Sequence, residues 1–258
     1  MDFPSTASRR EPAINVPAPL LVGIAILAAI HAVRSFLAPE TDIRLLIEAA
    51  FVPAPWSIAL GYATPADVLA AAEAHAQGEE GSLAIALAGF FAHQPLRPWS
   101  ALSYSVLHGS WAHLGLNCLW LVAFGTSVVR RAGAARSLVL WVAAALGGAL
   151  AQWMSGPLSV QFMIGASASV SGFMAAAATF MYEPPGSGRW AFLRNRGALI
   201  FLGLWLACNL IFAVIAQPMG LADGEVAWQA HIGGLIVGIA LFPLLDPYAE
   251  PRRSDMPS

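Results

Sequence analysis

Three stretches of the sequence carry side chains able to do chemistry: "HGSWAHLGLN" at 108–117, "IGASASVSG" at 164–172 and "AHIGGLIVG" at 230–238. Ser167 in the second and His231 in the third form a possible pair. A hydroxyl beside an imidazole gives a nucleophile and its base, the minimum for covalent acyl transfer. His113 and Asn117 in the first stretch are four residues apart and point the same way on a helix. As donors they suit a developing oxyanion, an effect worth roughly 3–4 kcal/mol per donor in a water-poor site. His108 lies five residues before His113, on a different face, and reads as support at the entry to the site. Each of these has a plainer role. Gly165, Ser167, Ser171 and Gly172 make a small-residue packing face. His231 can bond to backbone or water, and His113 and Asn117 can be polar glue worth only ~0.6 kcal/mol per bond.

For the hydroxyl and the imidazole to meet, two helices must press together. Gly234 and Gly238 are four residues apart and form a close-approach stripe, with His231 one turn earlier on the same face. If that stripe docks on the small face beginning at Ser167, the two side chains come within hydrogen-bond reach. Ser167 follows the irregular, charge-free stretch 154–164. It therefore falls in the first turn of its helix, near unpaired N–H groups and the positive dipole end.

The chain that must position these elements has 258 residues, 58% hydrophobic and 11% charged, with mean hydropathy +0.66. Soluble domains carry about a quarter charged residues, so this surface belongs in lipid. Crossing a ~30 Å hydrocarbon core takes roughly 20 mainly apolar residues. The expected spans are 16–37, 101–125, 137–154, 167–183, 197–216 and 228–245. The fold class is therefore all-α, a polytopic six-helix membrane domain over 16–246. Between the first two spans lies a long segment, 39–100, whose apolar pieces at 43–61 and 81–93 read as interfacial or re-entrant rather than spanning, because of Pro53, Pro55 and short length. Tails at 1–15 and 247–258 are polar, proline-bearing and expected to be loosely ordered. The first apolar run is long for a cleaved signal and reads as a span. There is no internal repeat.

Arginines give the orientation, as the chain has no lysine. Arg9, Arg10, Arg130, Arg131, Arg136, Arg189, Arg194, Arg196, Arg252 and Arg253 fall on one side, which the positive-inside rule makes cytoplasmic. Both termini are expected there. The other side carries nine acids, from Glu40 to Glu225, against Arg34, Arg44 and Arg97. In this frame spans 2, 4 and 6 run inward, and His108, His113, Asn117, Ser167 and His231 lie at comparable depth in their outer halves. Polar groups at membrane depth are a functional hypothesis by default. Cys118 and Cys208 fall within spans and read as small apolar residues, not a disulfide framework.

The three stretches, in this order on spans 2, 4 and 6, resemble the rhomboid family of intramembrane serine proteases. "FGTSVVRRAGAARSLVL" after span 2 and "EAAFVPAP" in the long segment extend the likeness over about 45–245. The resemblance implies Ser167 as nucleophile and His231 as general base, a dyad without an acidic third member. It implies His113, Asn117 and the Ser167 backbone N–H as the oxyanion hole, with His108, Gly165, Ala168, Gly234 and Gly238 in support. The implied reaction cuts transmembrane protein substrates in or beside their membrane helices, where small or helix-weakening residues expose carbonyls. Span 5 and the loop 217–226 would gate the site. No metal or organic cofactor is implied, and nucleic acid is not an expected partner. A bacterial inner membrane is the expected location.

The sequence departs from the family pattern at four places. Ala168 stands where Gly usually follows the nucleophile, and its methyl is expected to narrow the space for the substrate backbone. Trp99-Ser100 stands for a common Trp-Arg, with Arg97 two positions earlier. Val129 replaces an acidic residue after span 2, and Ser171 stands where some members stack a Tyr on the histidine. Against other classes, a transporter would show repeat symmetry, a zinc protease H-E-x-x-H, and an α/β-hydrolase a G-x-S-x-G elbow in a soluble setting. None is present. The remaining alternative is a catalytically weak or inactive relative that binds membrane-protein clients.

Overall fold

The computed structural model describes residues 15–76, 78–215 and 226–250. Twelve α-helices account for most of them: α1 (Ala18–Ser35), α2 (Pro39–Ala49), α3 (Pro53–Ala59), α4 (Pro65–His75), α5 (Gly78–Phe91), α6 (Ser100–Ser103), α7 (Trp111–Trp120), α8 (Thr126–Ala132), α9 (Ala134–Ser155), α10 (Ser167–Met181), α11 (Arg196–Ile215) and α12 (Trp228–Leu245). By length and composition α1, the run Trp111–Ala132, α9 and α12 are able to cross a membrane; α10 and the start of α11 are apolar but shorter. The expected all-α, multi-pass membrane bundle is what the chain forms.

Span 2 differs most from expectation. A helix over 101–125 is replaced by α6, a 3-10 turn at Tyr104–Val106, and then one continuous helical run from Trp111 to Ala132. Leu107 is extended, and the Ser110 hydroxyl caps the new start by accepting from the His113 N–H at 3.2 Å. The run passes through a π turn at Leu121–Gly125. Gly133, at φ +82°, is the whole connection to α9, so Arg130 and Arg131 sit in the last helical turn, where positive charge suits the dipole.

The long segment is helical. Pro39, Pro53 and Pro65 each occupy the first helical position, where the missing N–H costs nothing. Thr64 and Asp67 form a capping box ahead of α4. Arg97 grips Glu48 through two bonds, at 2.8 and 2.6 Å, and the Trp99 indole donates to the Glu48 carbonyl at 2.7 Å. The guanidinium holds the Glu48 carboxyl below its ordinary range, and the carboxylate raises Arg97. Arg97, two positions before Trp99, thus pins α2.

The centre of the bundle is a three-helix seam of small residues. A Cβ on Gly234 or Gly238 of α12 would overlap the carbonyls of Ala168 and Gly172 on α10, and one on Gly233 would overlap that of Gly147 on α9. Gly172 faces the Ala144 methyl at 2.6 Å from its would-be Cβ. The stripe at Gly234 and Gly238 therefore docks on the small face of α10, as the spacing requires. Ala168 also faces Gly148, seven residues before α9 ends at Ser155. At 1.5 Å per residue, α10 begins about 10 Å inside the bundle. Its 15 residues are almost all buried.

Ion pairs close the two ends. Arg131 bonds Asp246 at 2.8 Å and lies over the Phe180 ring, tying α8 to the end of α12; Arg34 binds Asp42 at the opposite end. The expected loose tail is fixed over its first residues: the carbonyls of Tyr248 and Ala249 accept the N–H groups of Gly186 and Gly188. The rest of both tails, and the loop 217–226 up to its last residue, lie outside the described residues.

This seam separates two glycines of similar sequence context. Gly238→Ala is expected to lower stability by about 1–3 kcal/mol through overpacking. Gly203→Ala on α11, where a Cβ meets nothing within 4 Å, is expected to be neutral or to gain up to about 1 kcal/mol. Unfolding midpoints in detergent measure both.

Candidate active site

The start of α10 is set by the extended stretch before it. Phe51 and Met163 exchange both backbone bonds, at 3.1 and 2.8 Å, and Ala54 N–H reaches the Ser159 carbonyl at 3.0 Å. Gly165 N–H donates to the Tyr104 carbonyl at 3.0 Å, and the Tyr104 hydroxyl donates to the Ala145 carbonyl at 2.8 Å. Non-helical backbone inside a membrane protein needs such partners. Ala166 N–H points at His108 Nε2, at 3.4 Å. No side chain caps α10, so the N–H groups of its first turn, beginning with Ser167, have no intrahelical acceptor.

Gly165, at φ +130°, turns the chain into this helix. Its would-be Cβ lies 2.8 Å from the His113 ring and 3.7 Å from Ser167 Oγ. The hydroxyl and the ring thus border one small space that any side chain at 165 would fill. His113 packs edge-on against His108, with ring centroids 5.1 Å apart. Asn117, buried one turn further along, donates from Nδ2 to the His113 carbonyl at 3.0 Å. An amide has a second N–H, which this bond leaves over. The other serines of the run are engaged: Ser169 donates to the Trp141 carbonyl at 3.0 Å and Ser171 to the Ser167 carbonyl at 2.7 Å.

His231 stands one turn before Gly234 on the α12 face that rests on α10. Its Nδ1 meets Asn209 Oδ1 on α11 at 2.6 Å. The structure thus gathers Ser167, Gly165, His113 and His108 around one point and presses the His231 face against the helix that Ser167 begins. Ser167, His113 and His231 are each half-buried.

Two residues were missed from the sequence. Asn209 is a polar side chain amid "LWLACNLIF", and the rule applied to spans 2, 4 and 6 would have flagged it in span 5. Arg34, expected only to lie on the outer side, is buried and donates to the His108 carbonyl at 2.8 Å. The expectation for Ala168 is also corrected. Its methyl is fully buried among Phe51, Tyr104, Ala145 and Ala230, and lies 2.5 Å from the would-be Cβ of Gly148. It fills the seam with α9 and does not face the space beside Ser167.

Residues 95–247 match the Rhomboid domain family. Among curated proteins, the chain is similar to "Rhomboid protease GluP" of Bacillus subtilis (strain 168), 33% identical over 140 residues. That match covers 54% of this chain and 24% of the relative.

Gly165→Ala tests how tightly the site is built. A Cβ at a positive φ and against the His113 ring is expected to cost about 1–3 kcal/mol of stability. The His113 ring resonances in NMR spectra of the detergent-solubilised protein are expected to move with it; unchanged spectra and stability would mean the space is slack.

Proposed function

This chain belongs to the rhomboid family, and we propose that it is an intramembrane serine endopeptidase acting through Ser167 and His231. The observation that carries the reading is the seating of Gly234 on the carbonyl of the residue after Ser167. It supports a fixed meeting of α12's imidazole with the start of α10.

In this reading His231 takes the Ser167 proton as the oxygen adds to a substrate carbonyl. The resulting oxyanion accepts from the Ser167 N–H, from His113 and from the second N–H of Asn117. Collapse passes the proton to the leaving amine and leaves an acyl-serine. Water, activated by the same imidazole, then adds and releases the acid. The substrate is a transmembrane protein presenting an unwound stretch, because a helix keeps its carbonyls bonded. The site opens to the side carrying Glu48, Arg97 and Asp42, and the arginine-rich end with both termini faces the cytoplasm of a bacterial inner membrane.

Cleavage of a model transmembrane substrate by the purified protein tests this directly. Ser167→Ala and His231→Ala are each expected to abolish it; mutants cutting at the wild-type rate would leave a client-binding relative as the answer. Asn117→Ala is expected to lower kcat by roughly 10²–10³. Ala168→Gly, which opens a void against α9 rather than the cleft, is expected to bring no gain in kcat, measured in the same assay.

A further inference from the structure

We infer that Asn209 is a positioning residue for His231, fixing which ring nitrogen carries the proton; the inference rests on the protease reading for its consequence but not for its geometry. On α11, Asn209 Nδ2 donates to the Trp205 carbonyl at 3.1 Å. That bond fixes the amide so that Oδ1 is the atom facing His231 Nδ1, at 2.6 Å. A carbonyl oxygen only accepts, so Nδ1 must carry the hydrogen and Nε2 holds the lone pair. The ring is then in the form a general base requires, with its free nitrogen turned away from α11. In triads a third side chain performs this duty, and the wrong tautomer is the main penalty for losing it.

Nothing on α10 offers the ring the same service. Ser171 is turned back onto the Ser167 carbonyl, and a serine has no face on which an imidazole could stack. The hold therefore comes from the neighbouring helix. Among the described residues, His113 on α7 acts electrostatically on the ring. In the protease reading Asn209 is then the third member behind Ser167 and His231, with the amide contributing direction rather than charge. It also ties the ring to α11, so a displacement of that helix by more than an ångström or so breaks the bond and frees the imidazole to rotate.

The test uses full-length protein with 15N-labelled histidine, as wild type, Asn209→Leu, Asn209→Asp and Ser167→Ala. Leu keeps the volume in a lipid-facing helix without an acceptor, and Asp keeps an acceptor in the same place. In the wild type the His231 nitrogen shifts are expected to report a proton on Nδ1, and in Asn209→Leu a mixture of tautomers. On a model transmembrane substrate Asn209→Leu is expected to lose roughly ten- to hundredfold in kcat with KM little changed, the range for an orienting partner, and Asn209→Asp to recover most of it. Unchanged shifts and kcat in Asn209→Leu would overturn the inference. Equal losses in Leu and Asp variants that track a fall in melting temperature would overturn it too, reducing Asn209 to packing. If wild type and Ser167→Ala are equally inert while the nitrogen shifts still depend on Asn209, the hold stands and the protease reading fails instead.

Discussion

Contact between α-helical backbones at a seam of glycines governs this molecule. In lipid there is little hydrophobic gain in joining two apolar helices, so association rests on close van der Waals fit and on polar bonds made at short range. Here Gly233, Gly234 and Gly238 of α12 lie on carbonyls of α9 and α10. No side chain intervenes to rotate or slide, and the relative register of the three helices is therefore fixed to within a fraction of a residue. The proposed chemistry depends on that register, because Ser167 and His231 sit on different helices and neither has a covalent or ionic tie to the other. Ala168 belongs to the same device. Its methyl occupies the notch left by Gly148 in the α9–α10 contact.

A second constraint follows from the first. An α10 packed this deeply starts inside the bundle, so the chain must travel to it as extended backbone. That backbone carries N–H and C=O groups which lipid does not satisfy. The structure meets them with Phe51 and Ala54 on one side and Tyr104 and His108 on the other. The long segment between α1 and α7 is therefore not an accessory. It supplies the wall that allows a helix to begin at depth, and Arg97, Trp99 and Ser103 fasten it to α2 through Glu48 and Ala49.

The parts legible in the sequence were those written in short-range patterns. Small residues four apart gave the seam, and polar residues in greasy helices gave Ser167, His113, Asn117 and His231. What escaped depended on direction or on distant partners. Leu107 to Ser110 break a run that hydropathy alone joins, because the Ser110 cap and the extended Leu107 are conformational facts with little apolar signature. Pro53, which argues against a span, is at N1 the start of a helix, as are Pro39 and Pro65. Adjacent residues on a helix point about 100° apart, so the Ala168 methyl faces α9 although Ser167 precedes it. Asn209 is visible to the same rule as a polar residue in a span, but its pairing with His231, 22 residues away, is not.

Placing the proposed nucleophile at the first residue of a buried helix resolves two demands that conflict in lipid. The site must offer unpaired donors to a forming oxyanion, yet unpaired donors in a membrane protein are costly. Within a helix, the start is where N–H groups are left uncommitted, and the His108 ring already takes the N–H of Ala166 ahead of them. The deficit is thus confined to the few atoms where charge would develop. The other hydroxyls of the run, on Ser169 and Ser171, are bound to carbonyls, so reactivity is not spread along the helix. Of three serines spaced two apart, the one at the helix mouth borders the space lined by His113. Its chemistry follows from where the helix begins.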